Sequence, residues 1–456
     1  MTERTLDLRR IVLLGLILGL VLGVTYTLSP LTVLFAGLFI VVTRRAGKDL
    51  SPREKQWFFT LIGVAITVRL LLVAALFVTA DPARPWVTIF GDEELFKSRS
   101  VWLRNLGLGL PISPADTIYV YDETGQSSYL NMLAVLQALA GNAPYGMQVM
   151  NATLYITGVV VLYRLVRPVF GGLAAMGGLA ILLYLPTLFV WSVSALKEPV
   201  YTLAAVAELL CAVYVARAPR MWQRLLGVVG VIAGAVVLDS LRKGGWPVAL
   251  IGSGGGLVLG FVVTRPRLAV ASFVAAPIVA LVALSTPPVR DSILRVSRRA
   301  ALYHSGHILT PGYSYQILDP RYYENRLLIA RMPPRELGAF VVRAVVSSVT
   351  EPLPWRPESL TMRAYLPEYL VWFAIIVLLP IGVLAGLRRD PMLTALLAAH
   401  AFAVMMMVAM TSGNVGTLIR HRGLVLPYAV WLSILGGIQL LRGVAPRPLA
   451  PSGETT

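Results

Sequence analysis

The chain has 456 residues, 57% of them hydrophobic and only 14% charged, against about 25% charged in an ordinary soluble domain. Lysine and arginine outnumber aspartate and glutamate 40 to 23. Apolar runs of bilayer length recur along the chain and exclude a soluble domain; they assign the basic excess to membrane-flanking loops and then to an anionic ligand, with no nucleic acid as partner. One cysteine, Cys211, excludes an intrachain disulfide and a cysteine metal cluster.

In chain order, "MTERTLDLRR" precedes an apolar stretch without a small-residue cleavage site, which predicts an uncleaved first helix. Twelve spans are expected, near 11–28, 30–43, 57–79, 145–163, 172–191, 200–216, 225–240, 245–263, 268–286, 369–387, 391–411 and 424–441, taking about 17–25 residues per span. Ser29-Pro30 makes a hairpin of the first two. If the spans alternate, Arg9-Arg10, Arg44-Arg45-Lys48, Arg164/Arg167, Arg217/Arg220, Arg265/Arg267, Arg388-Arg389 and Arg442 fall on one side. The basic bias makes that side cytoplasmic, with both termini, in a multi-pass plasma-membrane protein. The fold class expected is therefore an all-α polytopic membrane protein.

Four stretches follow: an N-terminal hairpin and loop (1–56), a transmembrane core (57–286), a large external loop (287–368) and C-terminal helices (369–456). The core contains a first external loop, 80–144. Loops of this length are functional or separately folded more often than structureless.

"FGDEELF", residues 90–96, opens that first loop with three adjacent carboxylates. The following residues place Leu95, Phe96, Trp102, Leu103 and Leu106 on one helical stripe and Lys97, Arg99, Ser100 and Arg104 on the other face. Such a helix lies in the interface rather than spanning it. Asp92 can cap it, with Glu93 and Glu94 complementing its positive end; the same placement also fixes a carboxylate rigidly for chemistry. "YLNMLAVLQAL", residues 129–139, is apolar but too short to span and predicts a second juxtamembrane helix.

Three short external connections break the positive-inside pattern: "SALKEP" with Lys197 and Glu198, "LDSLRKGGW" with Asp239, Arg242 and Lys243, and "SGNVGTLIRHRG" with Arg420, His421 and Arg422. Snorkelling and local ion pairs account for such charges. So does convergence on a phosphate or pyrophosphate headgroup at the membrane boundary. Within spans, Arg69 and Glu208 are expected to pair or to serve a polar site. His400 reads as a satisfied interior histidine. His304 and His307 supply two metal ligands without a third. "GSGGG", residues 252–256, lies inside a span, where small residues allow close helix contact.

Together, "GDEELFKSRSVWL", "QVMNATLYITGVVVLYRLVRPVFGG" and "LLYLPTLFVWSVSALKEPVYTLAAV" resemble the GT-C superfamily of polyprenyl-phosphate-sugar-dependent glycosyltransferases, a group that includes protein O-mannosyltransferases and the lipid A aminoarabinose transferase. The likeness covers about residues 57–220, with a weaker part near 412–430. An additional apolar hairpin before residue 57 and the loop 287–368 depart from the family pattern. The resemblance implies a GT-C-like fold and a polyprenyl-phosphate sugar donor. It implies Asp92 as general base and Glu93 as its assistant, acceptor orienter or metal ligand; Glu94, Arg69 and His421 are the candidates for a supporting role on the residues' own account.

A carboxylate there takes the proton of an attacking acceptor hydroxyl. Lys197, Arg242, Lys243, Arg420 and Arg422 would hold the leaving phosphate. Direct displacement inverts the anomeric centre. A divalent metal is the one cofactor left open, and the partners are the lipid donor, membrane lipids and an acceptor glycan, lipid or protein. Two alternatives stand beside this reading. In an O-antigen ligase or polymerase with a polyprenyl-pyrophosphate donor, Arg298, Arg299, His304 and His307 would carry the chemistry. A lipid-linked saccharide transporter or flippase would show discontinuous helices and an inverted repeat.

Overall fold

The computed structural model describes residues 30–79, 88–120, 128–141, 145–309, 313–353, 355 and 360–444. Among them the architecture is all helical, with one isolated bridge between Ser314 and Asn414. Helices α1 (Pro30–Ala46) and α2 (Pro52–Val78) lead to the first long connection, which holds α3 (Gly91–Gly107), α4 (Pro114–Tyr119) and α5 (Ser128–Ala140). Then come α6 (Gly146–Phe170), α7 (Gly172–Tyr184), α8 (Pro186–Ser192), α9 (Glu198–Arg217) and α10 (Met221–Leu241). The next segment runs through α11 (Gly245–Ala249), a π-helical turn (Leu250–Gly255) and α12 (Gly256–Val263) to α13 (Pro266–Ser285). The second long connection carries α14 (Pro287–His307), α15 (Arg321–Glu324), a 3-10 helix (Arg326–Arg331) and α16 (Pro334–Thr350). It is followed by α17 (Leu360–Leu387), α18 (Pro391–Thr411), α19 (Val415–Arg422) and α20 (Leu426–Val444).

Among the described residues, eight helical segments are long and apolar enough to cross a membrane, and ten if each of two bent pairs forms one span. The protein is an all-α polytopic membrane protein. The expected span at 11–28 lies outside the described residues. The one at 30–43 is α1, whose 17 residues stand at the lower limit of the about 17–25 that a span takes. Those at 172–191 and 424–441 belong to the bent pairs α7/α8 and α19/α20, with bends of 63° and 67°. Local chemistry sets the helix starts. Proline stands in the first turn of α2, α13 and α18, where its missing N–H costs nothing. The Asp390 carboxylate caps α18 by accepting from the Leu393 N–H at 2.9 Å. In α13 no residue is buried, and Phe273 and Leu281 are more than 70% exposed. An apolar helix uncovered on every side has lipid as its solvent.

The described residues fall into two compact units built from non-contiguous segments, which cut across the four consecutive stretches read from the sequence. The first takes its residues from 1–164, 188–207 and 236–245, and the second from 165–187, 208–235 and 246–456. The first unit is built around α6, whose Met147, Met150, Ala152, Ile156 and Val159 are fully buried. In the second, α17 and α20 cross through Gly382 and Gly436. A Cβ on Gly382 would lie 1.7 Å from the Leu432 carbonyl oxygen, so only glycine permits that approach.

Within each unit, chain ends that the basic residues assign to one side meet. Arg164 donates to the Lys48 carbonyl at 2.9 Å in the first. In the second, Arg217 pairs with Asp390 and Arg389 donates to the Phe170 carbonyl at 2.6 Å.

Candidate functional site

The acidic cluster is the first turn of α3, and its three carboxylates have different surroundings. The helix begins at Gly91 with Phe90 as N-cap, so Asp92 stands two residues too late to cap it. Glu93 performs that task. Its Oε1 accepts from the Ile89 and Phe90 N–H groups at 2.8 and 2.9 Å, and its Oε2 accepts from the Ala195 N–H at 2.8 Å. Glu93 is fully buried, whereas Asp92 and Glu94 are exposed.

The face of α3 that turns inward is the polar one. Lys97 and Ser100, one and two turns beyond Glu93, are fully buried, while Leu95 and Leu106 of the apolar stripe are 45% and 46% exposed. The sequence has the period right, but the helix packs in the opposite sense to that of a soluble amphipathic helix. Its partner α5 supplies Gln137, whose Nε2 donates to Ser100 Oγ at 2.7 Å. With lipid as the alternative environment, polar side chains are better placed against protein than outside it. Burial pulls the Lys97 ammonium down to about 8, against the raising influence of Glu93 beside it.

Behind α3 lies a buried polar network that the sequence reading missed. Asn151 Nδ2 donates to the Ser194 and Leu196 carbonyls at 2.6 and 2.7 Å and reaches Tyr129 Oη at 3.3 Å. Burial drives the Tyr129 hydroxyl well above its ordinary range. The Asn151 hydrogen bond opposes that shift, and the charges of Glu198 and Glu93 add to it. Tyr129 therefore keeps its proton. Gln148, also fully buried, has neither amide atom hydrogen-bonded within the described residues. The available signal was the i, i+4, i+7 spacing of Glu93, Lys97 and Ser100, a polar stripe as regular as the apolar one.

Of the expected cations, Lys197 is brought to the cluster. The Glu93–Ala195 bond pins its turn to the start of α3, and its Nζ stands 5.9 Å from the Phe96 ring centroid. Arg242 and Lys243 lie in the same unit, at the end of α10, half-buried and exposed respectively. Their turn closes through the Gly244 N–H, which donates to Asp239 Oδ1 at 3.2 Å.

Arg420, Arg422 and His421 belong to the second unit. Arg420 is half-buried and His421 is buried. The Arg422 guanidinium is also buried. It donates to the Ser348 carbonyl at 2.9 Å and to the Glu351 carbonyl, and it lies 5.0 Å from the Trp372 ring centroid. These donors hold the end of α16 rather than face solvent.

Arg69 and Glu208 find different partners instead of each other. Arg69 Nε donates to Ser192 Oγ at 2.7 Å, and its guanidinium lies 4.8 Å from the Phe189 ring centroid. Glu208 meets His400 at 2.9 Å.

The second long connection is folded by its histidines. His304 Nδ1 donates to the Ser412 carbonyl at 2.6 Å and its Nε2 faces Tyr323 Oη at 3.2 Å. The same hydroxyl accepts from the Ile317 and Leu318 N–H groups, both at 3.0 Å. His307 Nδ1 donates to the Thr411 carbonyl at 2.7 Å. Arg298, part of the ligase-type alternative, donates to the Met332 carbonyl at 2.9 Å, and Arg299 is exposed. Among the described residues no group of three or more His, Cys, Asp or Glu side chains is placed to hold a metal ion.

Compared with family models, curated proteins and solved structures, the chain matches none. The resemblance to the GT-C superfamily rests on the motifs quoted above.

Proposed function

We propose that the chain is a membrane-embedded group transferase acting at the end of the bundle that carries α3. More specifically, we read it as a GT-C-like glycosyltransferase that moves a sugar from a polyprenyl-phosphate donor to an acceptor hydroxyl. The arrangement proposed has twelve spans, cytoplasmic termini and the reacting groups on the external face.

One observation carries the reading. Glu93 joins the turn holding Lys197 to the helix start that presents Asp92, so a solvent-facing carboxylate and a cation share one stitched element. Asp92 takes the proton of the acceptor hydroxyl as that oxygen bonds to the anomeric carbon. The bond from that carbon to the phosphate oxygen breaks, and its electron pair leaves on the lipid phosphate. Lys197, Arg242 and Lys243 offset the charge that develops there. Glu93 serves as the positioning residue, and Arg422 holds the fold of its own unit.

The test is transfer from a panel of labelled polyprenyl-phosphate sugars by purified protein in nanodiscs. Asp92→Asn is expected to insert normally and lose at least a hundredfold in transfer, within the range of a general base. Full activity in that variant removes the assignment.

A second reading, transport of a lipid-linked saccharide, draws on the two bent helix pairs, since broken helices line the sites of many transporters. Movement of the intact lipid-linked saccharide across proteoliposomes, with no glycosyl transfer, would favour it.

A further inference from the structure

We propose that Glu208 and His400 form an intramembrane site that binds a single proton. Neither residue takes part in the transfer chemistry above. Glu208 lies in the middle of α9 and His400 in the middle of α18, both fully buried, in helices long and apolar enough to cross a membrane.

The hydrogen positions follow from the partners. His400 Nδ1 lies 2.7 Å from the Leu396 carbonyl, which can only accept, so Nδ1 carries a hydrogen. Nε2 lies 2.9 Å from Glu208 Oε2. Two lone pairs do not meet at that distance, so a second hydrogen occupies the contact. It belongs either to an imidazolium facing a carboxylate or to a carboxylic acid facing a neutral imidazole. In both forms the pair is neutral and holds one proton more than neutral histidine with ionised glutamate. Without that proton the site would carry a net negative charge inside an apolar bundle, an expensive state. Glu208 Oε1 has no hydrogen-bond partner among the described residues, so nothing there offsets the charge.

The surroundings of the pair suit a site whose occupancy changes. The π-helical turn Leu250–Gly255 lies against it, with Ser253 Oγ 3.4 Å from His400 Nε2. That hydroxyl is within reach of the nitrogen as an alternative donor. Gly252, Gly256 and Gly260 pack in succession on His400, Leu396 and Met392, and Gly234 of α10 packs on Glu208. A π-helical turn among glycines is a common feature of functional sites in helices.

The titratable groups facing the pair are Cys211, on the same helix as Glu208, and Tyr428 of α20, stacked on the imidazole with ring centroids 5.1 Å apart. The π-helical turn brings Ser253 and Gly252 to the contact, and α10 brings Gly234. Loss of the proton would set a carboxylate against an imidazole lone pair and drive α9 and α18 apart at this level.

Nitrogen-15 spectra of His400 and carbon-13 spectra of the Glu208 carboxyl, recorded near neutral pH on the full chain in nanodiscs, test the proposal. The expected result is a protonated Nδ1 together with either a protonated Nε2 or a protonated carboxyl. An unprotonated Nε2 facing an ionised carboxylate overturns it.

Discussion

The two long connections invite comparison because each joins spans and each collects charged or titratable side chains, yet they use them differently. In the second, His304, His307 and Arg298 donate to main-chain carbonyls, and Arg422 of α19 donates to the carbonyls at the end of its α16. Its chemistry-bearing residues act as fasteners. In the first, Glu93 fastens main-chain N–H groups, while Asp92 and Glu94 beside it are exposed. Residue type does not separate the two cases. The separation comes from whether a side chain's polar atoms already face buried main-chain partners. Buried main-chain groups must be paired, and a side chain engaged in pairing them is poorly placed to meet a substrate.

The sharpest way to break this contrast is Glu93→Ala. Three N–H groups lose a charged acceptor, and the buried Lys97 ammonium loses the carboxylate beside it. Hydrogen bonds to charged groups contribute about 1.5–3 kcal/mol each, so a loss of roughly 5 kcal/mol is expected, enough to unfold a marginal unit. Thermal unfolding in detergent measures it. An unchanged midpoint would mean that Glu93 is not the fastener and would reopen its place in the chemistry.

Acid probes the second connection. Burial lowers the His304 pKa to about 4, against about 6.5 in the unfolded chain. Between those values the folded state binds fewer protons than the unfolded one, so the contribution of His304 is complete above about pH 6.5 and falls as the pH drops toward 4. The full shift corresponds to about 3 kcal/mol. A proton on Nε2 would confront the Tyr323 hydroxyl, which already accepts two N–H groups. Amide exchange in residues 301–309 and 313–323 is therefore expected to rise selectively on going from pH 7 to pH 4.5, and His304→Gln is expected to flatten that response.

Arg422→Lys sharpens the same point with a smaller effect. Lysine keeps the charge but not the planar fork that reaches the Ser348 and Glu351 carbonyls while lying against Trp372. A loss of roughly 2 kcal/mol in unfolding free energy is expected, with donor binding little changed. A strong loss of donor affinity at unchanged stability would return Arg422 to the phosphate site.

Much of the fold was legible because a bilayer imposes length and apolarity on every span, and those properties are written residue by residue. The helix boundaries near 57–79, 200–216 and 391–411 came from that signal, as did the juxtamembrane helices α3 and α5. Three things were not legible. The bends within α7/α8 and α19/α20 depend on tertiary contacts rather than on hydropathy. The facing of α3 is ambiguous, because periodicity gives the angle of a stripe but not the side on which the protein lies. The pairing of Glu208 with His400 joins residues 192 positions apart, and neither carries a local sign of the other. The candidate site was readable as a place, the carboxylate cluster at 92–94. The division of labour inside it was not, since adjacent acids look alike until their partners are seen.

Asp92→Asn is the substitution with the smallest expected effect on the fold, and for that reason it isolates the chemistry. The side chain is exposed in the first turn of α3, where a negative charge near the helix start is worth about 0.3–1 kcal/mol. Asparagine keeps the shape and the polarity and loses only the charge, so the unfolding midpoint should move by no more than a degree or two while transfer falls. Glu94→Gln removes an equivalent exposed charge one residue away. If helix electrostatics alone account for the cluster, the two variants will behave alike in both measurements. If Asp92 is the base, they will match in stability and part in activity.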